Sequence, residues 1–228
     1  MKKNNISIVI PKYKPNKEIF KKLKIYLKEN AKGCEIIEIP GLNGLANAYN
    51  KGIKKSKGEI IITLHQDCIP LEKNSLKKLV KPFEDKKVVI SCSWILEKGE
   101  RKKYYPFIPD GKFTAYRKSS LKKVGLFDAK KFFVGGEDVD IYLKLKNSGK
   151  FIRVETGVLH VHPGYKTKKS LEKIKQNGNI NGALFRVWGF KYPKWFKAII
   201  LTVIYPKTYG KEFLKAFFRG KQTYRRVE

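Results

Sequence analysis

Between Ile6 and Leu96 the sequence alternates short apolar runs with longer amphipathic stretches, and this alternation is the strongest constraint on the fold. The apolar runs are ISIVI, CEIIEI, EIIITL and KVVISCSWIL, each of a length typical of a buried strand. The stretches between them carry apolar residues at helical spacing, as in NKEIFKKLKIYLKENAKG. The alternation predicts an α/β domain with a mainly parallel central sheet and helices on both faces.

Charge and cysteine content indicate which partners the protein binds and in which compartment it works. The 228 residues are 42% hydrophobic, enough for a sizeable core, and carry a formal net charge of +31. This excess predicts an anionic partner, which is nucleic acid, an anionic membrane surface or a phosphorylated substrate. The three cysteines form neither a zinc pattern nor a disulfide framework, so we expect a reducing, cytoplasmic compartment. The first apolar run is too short for a signal peptide, and no run reaches the roughly 20 residues of a membrane span.

The composition changes near Tyr165. Residues 166–228 hold 16 Lys and Arg residues against 3 acidic residues, a net charge of +13, together with many aromatic residues. We therefore predict a domain of residues 1–163 followed by a basic, aromatic-rich helical appendage, residues 164–228. Within it, KWFKAIILTVIYPK places Trp, Lys and Tyr around a short apolar run, a pattern typical of an interfacial membrane segment. The alternative is an ordinary amphipathic helix packed on the domain.

A carboxylate, Asp67, follows the third apolar run in the segment LHQDCIP. Parallel strands direct their carboxyl ends towards the ligand crevice. Asp67 is therefore either a turn or capping residue ahead of Pro70, or a ligand of Mg²⁺ or Mn²⁺. His65 and Cys68 offer further donor atoms, but three adjacent ligands cannot easily surround one ion.

The segment GGEDVD combines two glycines with Glu137, Asp138 and Asp140. Acidic residues are common in the first turn of a helix, where they complement the helix dipole. The preceding glycines allow a close backbone approach, which the capping interpretation does not explain. A carboxylate that faced the same crevice as Asp67 could act as a general base.

Two histidines, His160 and His162, lie in VLHVHPG at the end of a predicted strand. Alternate residues of a strand face the same side, so these two imidazoles share a face. They are either satisfied or surface histidines, or metal ligands beside the acidic clusters.

The order of these motifs resembles the family 2 glycosyltransferases, which have the GT-A fold. The resemblance runs from Ile6 to about Pro163 and rests on five segments in the family's order. These are ISIVIPKY, GLNGLANAYNKGIKKSKGEIIITLHQDCIP, GKFTAYRKSSLKKVGLFD, FFVGGEDVDIYLKL and VLHVHPG. Five segments in this order are a far more specific signal than any one of them.

The resemblance implies a metal site on the donor diphosphate. Asp67 matches the last aspartate of the family's Asp-x-Asp motif, and His65 replaces the first. His160 matches the histidine on the metal side, with His162 as its substitute. The implied cofactor is Mn²⁺ or Mg²⁺.

The resemblance also implies a base and a nucleotide site. Asp138 matches the aspartate that deprotonates the acceptor hydroxyl, and Glu137 matches its companion. Pro11 and Tyr13 match the turn that cups the nucleotide base. The family usually follows its second strand with an aspartate-rich turn, whereas EIIEIPGLNG has Glu38 alone, so the nucleotide contacts are altered. The other expected donor-binding residues are Glu38, Asn43, His65 and Gln66.

These features predict an inverting glycosyltransferase that moves a sugar from a nucleotide-diphosphate donor to a glycan or lipid-linked acceptor. The alternative is a GT-A-fold protein without this chemistry, which acts as a basic membrane-surface or nucleic-acid binding module. No nucleic-acid-binding motif is present in the sequence, so we expect no nucleic-acid partner. The basic tail predicts a cytoplasmic protein held peripherally at the anionic inner face of the cell membrane.

Overall fold

The computed structural model of the protein describes residues 5–40, 44–133, 135–161 and 171–223. The strands are β1 (Ile6–Lys12), β2 (Glu35–Pro40), β3 (Ile60–Leu64), β4 (Cys68–Pro70), β5 (Val88–Glu97), β6 (Phe113–Arg117) and β7 (Lys150–His160). The α-helices are α1 (Lys17–Asn30), α2 (Leu45–Lys55), α3 (Ser75–Val80), α4 (Lys118–Lys123), α5 (Glu137–Leu145), α6 (Leu171–Trp188), α7 (Trp195–Ile204) and α8 (Lys211–Arg219).

The first helix shows how the sequence encodes these elements. The Asn16 side chain caps α1 by accepting hydrogen bonds from the backbone N–H groups of Glu18 and Ile19, at 3.1 and 3.2 Å. Leu23 and Leu27 lie one helical turn apart and are buried against the sheet. The predicted amphipathic helix is thus present, and its lysine-rich face is exposed.

All seven strands form one sheet, in the order β2-β1-β3-β6-β5-β7-β4. β1 runs parallel to β2 and β3, and β5 runs parallel to β7. β6 is antiparallel to both β3 and β5, and β4 is antiparallel to β7. The predicted α/β class is confirmed, but the sheet that we expected to be mainly parallel is mixed. The reason is β6, which the alternating pattern did not predict and which enters between β3 and β5 in the opposite direction.

These strand directions bring several chain segments to one edge of the sheet. β1, β3, β5 and β7 all end there, and β6 begins there, since Leu64 at the end of β3 pairs with Phe113. At the same edge, the last residue of β5, Glu97, pairs with the last residue of β7, His160. We call this the carboxyl edge.

Helices cover both faces of the sheet, as predicted. One apolar core contains Leu23 of α1 and Leu79 of α3 together with residues of the strands. A second core, on the other face, contains Ile53 of α2 and Ile141 of α5. Burial of these apolar side chains is the main stabilising contribution to the sheet and its carboxyl edge.

The C-terminal region is helical, as predicted, and it has a core of its own. This third core joins residues of α6, α7 and α8 to Phe132 and Val139, which flank the start of α5. Two glycines of α6 allow α8 and the turn before it to approach closely. A Cβ at Gly178 would lie 2.3 Å from the Tyr209 carbonyl oxygen, and one at Gly182 would lie 2.1 Å from that of Phe213. The C-terminal helices therefore pack against the segment that carries the GGEDVD motif.

Phe213→Ala tests this shared core. Phe213 is 4% exposed and stacks against Phe217 and Phe185, so its truncation should leave a cavity and lower the free energy of unfolding by about 3–5 kcal/mol. The matched control is Phe218→Ala, at a side chain that is 76% exposed, with an expected change within about 0.5 kcal/mol. Urea unfolding followed by tryptophan fluorescence measures both. Equal, small effects would show that the third core contributes nothing to the fold.

Candidate functional site

Asp67 and His160 meet at the carboxyl edge because β4 pairs with the end of β7. Cys68, the first residue of β4, lies opposite His160, and the Asp67 carbonyl accepts a hydrogen bond from the Val161 N–H at 2.9 Å. This pairing leaves Asp67 Oδ2 at 3.4 Å from His160 Nε2. Two motifs that are 93 residues apart in the sequence therefore share one site.

The His160 imidazole lies between two carboxylates. Its Nδ1 is 2.6 Å from Glu97 Oε2, while its Nε2 faces Asp67. Burial alone would lower the pKa of His160, but Asp67 and Glu97 outweigh that effect and raise it. Burial likewise opposes a charge on Asp67, but the His160 hydrogen bond and the nearby His65 lower the pKa of this carboxyl. Each group therefore stabilises the charged form of the other.

The donor atoms at this site fit a divalent cation. One oxygen of Asp67, the Cys68 sulfur and one nitrogen of His160 lie within 4.8 Å of one another. Two ligands at right angles around an octahedral ion, each about 2.1 Å from it, are separated by about 3 Å, close to the Asp67–His160 distance. Carboxylate and imidazole suit Mn²⁺ and Mg²⁺, whereas burial raises the pKa of the Cys68 thiol well above its usual range.

A partly buried ion pair lies beside this group, in the segment that leads into β6. Lys112 Nζ is 2.5 Å from Asp110 Oδ2, and the Lys112 carbonyl accepts a hydrogen bond from the His65 N–H at 3.1 Å. Burial opposes the charge of Lys112, but Asp110 raises the pKa of this amine above its usual value. Gly111, between the two, accepts a hydrogen bond from the buried Tyr49 hydroxyl at 3.0 Å. The turn is therefore fixed against α2.

Glu137 and Asp138 occupy the first turn of α5. This helix ends at Leu145, and β7 begins soon after at the opposite edge of the sheet, so the first turn of α5 lies towards the carboxyl edge. Burial and the neighbouring Asp138 raise the pKa of Glu137 to about 8. Burial and the charge of Asp110 raise the pKa of Asp138 to about 6. Asp138 as a whole is only partly buried.

The charge of Lys112 in this ion pair acts on both Asp138 and His160. The Lys112 charge favours the ionised form of Asp138 and disfavours the protonated form of His160. One ion pair at the carboxyl edge therefore acts on both the candidate base and the candidate metal ligand. That Asp67, His160 and Asp138 face one cleft stays a prediction.

The two glycines before α5 allow the C-terminal helices to reach this turn. Gly135 and Gly136 have φ angles of 77° and 87°, in the left-handed region that favours glycine. A Cβ at Gly135 would lie 2.9 Å from Ile180 Cδ1 of α6. From the end of the described chain, the buried Gln222 side chain donates to the Gly135 carbonyl at 2.5 Å and accepts from the Phe133 N–H at 3.1 Å.

Asp140, the last acid of GGEDVD, has a structural role. It is buried and pairs with Lys144 at 2.6 Å, one turn further along α5. Its other oxygen accepts a hydrogen bond from the Trp188 indole N–H at 3.1 Å. Asp140 therefore ties α5 to α6.

The residues expected on the nucleotide side show contacts within the protein. Pro11 is buried in β1, and Tyr13 follows β1 with its ring exposed. The Gln66 amide accepts a hydrogen bond from the Tyr13 N–H at 2.8 Å and donates to the Tyr13 carbonyl at 2.6 Å. Gln66 thus fixes the turn after β1 to the end of β3, and its contact with a donor stays a prediction.

Glu38 and His65 differ in environment. Glu38 forms salt bridges with Lys12 at 3.2 Å and Lys24 at 3.8 Å. Burial lowers the pKa of His65 to about 4, and its buried Nε2 has no hydrogen-bond partner among the described residues. A contact between His65 and the donor stays a prediction. Asn43 and His162 lie outside the described residues.

Three groups at this site were not predicted from the sequence: Glu97, Asp110 and Lys112. Glu97 carries the same signal as Asp67, a carboxylate at the end of an apolar strand, and could have been found by it. Asp110 and Lys112 lie in KGERKKYYPFIPDGKF, which has no periodicity, and only the pairing of β6 with β3 places them in the site.

The family model for glycosyl transferase family 2 matches residues 16–140 of the chain. This match spans more than half of the chain. The chain belongs to glycosyl transferase family 2. The matched region includes Asp67, Asp110 and Asp138. A comparison with curated protein sequences gives no match.

Solved structures agree with a GT-A fold. The mannosyltransferase PcManGT from Pyrobaculum calidifontis, solved with GDP-Man and Mn²⁺, has a TM-score of 0.60 at 13% identity, over 95% of this chain and 73% of that chain. The catalytic domain of Drosophila beta1,4-galactosyltransferase 7, solved with xylobiose, has a TM-score of 0.55 at 15% identity, over 72% and 73%. GalNAc-T7, solved with UDP, GalNAc and Mn²⁺, has a TM-score of 0.51 at 16% identity, over 94% of this chain and 56% of that chain. At these identities the likeness shows the fold.

Glu137 predicts how stability depends on pH. Its pKa rises on folding from about 4.5 to about 8, so between these values the folded chain holds more protons than the unfolded chain. This carboxyl therefore makes stability fall as the pH rises through that window. Glu137→Gln removes the titration, so the variant should lose less stability than the wild type between pH 5 and pH 8.

Urea unfolding at the two pH values measures this difference. Glu29→Gln, on the exposed face of α1, is the matched control and should keep the wild-type slope. If Glu137→Gln also keeps the wild-type slope, then Glu137 is not a carboxyl that folding keeps protonated.

Proposed function

We propose that this glycosyltransferase is inverting and metal-assisted, and that it moves a sugar from a nucleotide diphosphate to a glycan or lipid-linked acceptor. The observation that carries the proposal is the placement of the Asp67–His160 donor pair and the Asp138 carboxyl at one edge of the sheet. The charge of Lys112 lowers the pKa of Asp138 and opposes the rise in the pKa of His160. A metal site and a base near one cleft are what glycosyl transfer from a nucleotide diphosphate needs.

The structural neighbours support the choice of cofactor and donor class. PcManGT was solved with GDP-Man and Mn²⁺, and GalNAc-T7 with UDP, GalNAc and Mn²⁺. Asp67 and His160 would hold the cation in this chain. When bound, a divalent cation neutralises the negative charge that develops on the leaving diphosphate.

Asp138 is the proposed base. A carboxyl with a pKa of about 6 is largely ionised at neutral pH and still basic enough to take a proton in the transition state. The acceptor oxygen forms a bond to the anomeric carbon while the bond from that carbon to the diphosphate oxygen breaks. The diphosphate leaves with the bonding electrons, and Asp138 receives the hydroxyl proton. Attack opposite the leaving group inverts the anomeric carbon.

Glu137 is the proposed companion of Asp138. It is buried, and its raised pKa keeps it protonated at neutral pH, so it carries a hydrogen-bond donor rather than a charge. We propose that Glu137 orients an acceptor hydroxyl towards Asp138. Of the two adjacent carboxyls, only Asp138 then titrates below neutral pH.

Substitutions at the two carboxylates should separate the base from the metal site. Asp138→Asn removes the proton acceptor, so turnover should fall by about 100-fold or more while nucleotide binding is retained. Asp67→Asn should also weaken the binding of UDP or GDP in the presence of Mn²⁺. Thermal shift with a nucleotide panel measures binding, and release of the nucleoside diphosphate from the matching sugar donor measures turnover.

Asp140→Asn is the matched control, because it makes the same chemical change in the same helix turn and leaves Asp138 in place. It should affect stability more than the rate per folded molecule, since Asp140 pairs with Lys144 and Trp188. Equal, small effects of Asp67→Asn and Asp138→Asn on turnover would contradict the proposal and favour a binding module with a GT-A fold.

We further propose that α7 holds the protein at the anionic, cytoplasmic face of the cell membrane. None of the helices in the described ranges has the length and apolarity to cross a membrane. α7 nevertheless leaves a row of apolar side chains exposed, with Phe196 at 63% and Val203 at 74%. The row consists of Phe196, Ile199, Ile200, Val203 and Ile204.

Charge complementarity favours a lipid surface as the partner of this row. Residues 166–228 carry a net charge of +13, and each Lys or Arg near an anionic leaflet contributes about 1 kcal/mol of attraction. If about a third of the 16 basic residues reached the surface, the attraction would be several kcal/mol before any apolar burial. This is enough for reversible binding and would bring the cleft close to a lipid-linked acceptor.

Co-sedimentation with vesicles tests this surface. The full chain should bind vesicles that contain phosphatidylglycerol at low salt and dissociate from them as the salt concentration rises. It should not bind vesicles of neutral phosphatidylcholine. Phe196→Asp with Val203→Asp should abolish binding. The matched control is Phe107→Asp, a 68% exposed aromatic outside the C-terminal helices. A wild-type chain that stays in the supernatant with anionic vesicles would contradict the proposal and leave α7 as a contact between copies of the chain.

A further inference from the structure

Glu97 is a buried carboxylate that the proposed transfer reaction does not use. It ends β5 at the carboxyl edge and is 4% exposed. Its Oε2 lies 2.6 Å from His160 Nδ1, the shorter of the two carboxylate contacts that this imidazole makes. A carboxylate buried this deeply is strongly destabilising unless a hydrogen-bonded partner compensates it.

The other oxygen of Glu97 is also engaged. The Tyr104 hydroxyl donates to Glu97 Oε1 at 3.1 Å. Tyr104 is itself held by a two-way backbone bridge to Ile95 of β5, with N···O distances of 2.9 and 3.0 Å. Glu97 and His160 also lie directly opposite each other in the parallel pair of β5 and β7. The backbone and Tyr104 together fix where the Glu97 carboxylate can lie.

If Glu97 is ionised, this arrangement selects one tautomer of His160. An ionised carboxylate only accepts hydrogen bonds, so Nδ1 must carry a proton to bond with Glu97. In the neutral imidazole the lone pair is then on Nε2, the nitrogen that faces Asp67 at 3.4 Å. Histidines that ligate metals usually donate their other ring N–H to a carboxylate or carbonyl, which fixes the ring and raises its basicity.

We propose that Glu97 is a positioning residue for the metal site. It holds His160 with Nδ1 protonated and Nε2 directed at the cation, and Tyr104 holds Glu97. The inference rests on the proposed metal-assisted function, because it requires that Asp67 and His160 bind the ion. Glu97 itself touches neither the ion nor the substrate.

The binding of Mn²⁺ alone to the full chain tests this role without any need for the donor or acceptor. The concentration of free Mn²⁺, read from its electron paramagnetic resonance signal, gives the affinity. Glu97→Gln keeps the size of the side chain but loses the charge, and Mn²⁺ affinity should fall about 10-fold to 100-fold. Tyr104→Phe should lower it less, because the carboxylate remains. Glu100→Gln, at an exposed carboxylate three residues along, should leave it unchanged.

The outcomes distinguish this inference from the proposed function. If His160→Ala loses Mn²⁺ binding and Glu97→Gln binds as the wild type does, the metal site stands and the role of Glu97 is overturned. If the wild type binds no Mn²⁺, the metal-assisted function fails, and this inference fails with it.

The tautomer gives a second readout that needs no variant. The chain has three histidines, so ¹⁵N-labelled imidazoles can be assigned individually. With saturating Mg²⁺, His160 should be neutral with its proton on Nδ1. A proton on Nε2 in the presence of Mg²⁺ would overturn the proposal even if Glu97→Gln fails to fold.

Discussion

Like charges gathered at one edge of a sheet are the constraint on which this site depends. Five carboxyl groups lie at or beside the carboxyl edge of a protein whose net charge is +31; they are those of Asp67, Glu97, Asp110, Glu137 and Asp138. Lys112 compensates Asp110, and the His160 imidazole lies between Asp67 and Glu97. Burial and the neighbouring carboxylates instead raise the pKa of Glu137 and of Asp138. The carboxyl edge is thus acidic within a strongly basic chain, an environment that suits the divalent cation we propose.

The surrounding structure maintains this arrangement from two directions. The reversal of β6 between β3 and β5 places the Asp110–Lys112 pair beside the end of β3. On the other side, the C-terminal helices pack against the Gly135–Gly136 turn, and Gln222 binds its backbone. The helix that carries Asp138, the proposed base, therefore packs in the second and third cores, whereas Cys68, next to Asp67, lies in the first core.

Local sequence patterns were enough to predict most of the strands and part of the candidate site. Strand ends and helical spacing identified β1, β2, β3, β5 and β7, and the order of Asp67, Asp138 and His160 matched a known family. Residues whose role depends on long-range pairing could not be assigned in this way. Asp110 and Lys112 lie in an aperiodic segment, and β4 is only three residues long, so nothing local indicates that Cys68 pairs with His160. Gln66 has a polar side chain near a predicted site, but its amide forms hydrogen bonds with the backbone N–H and carbonyl of Tyr13. The sequence does not reveal these two contacts.

Anomalous diffraction from crystals of the full chain soaked in MnCl₂ tests whether Asp67 and His160 bind one cation. We expect a manganese peak within bonding distance of both Asp67 Oδ2 and His160 Nε2, with Glu97 on the far side of the imidazole. An ordered manganese ion bound at Glu137 and Asp138 instead, or crystals that bind manganese only away from the carboxyl edge, would contradict it.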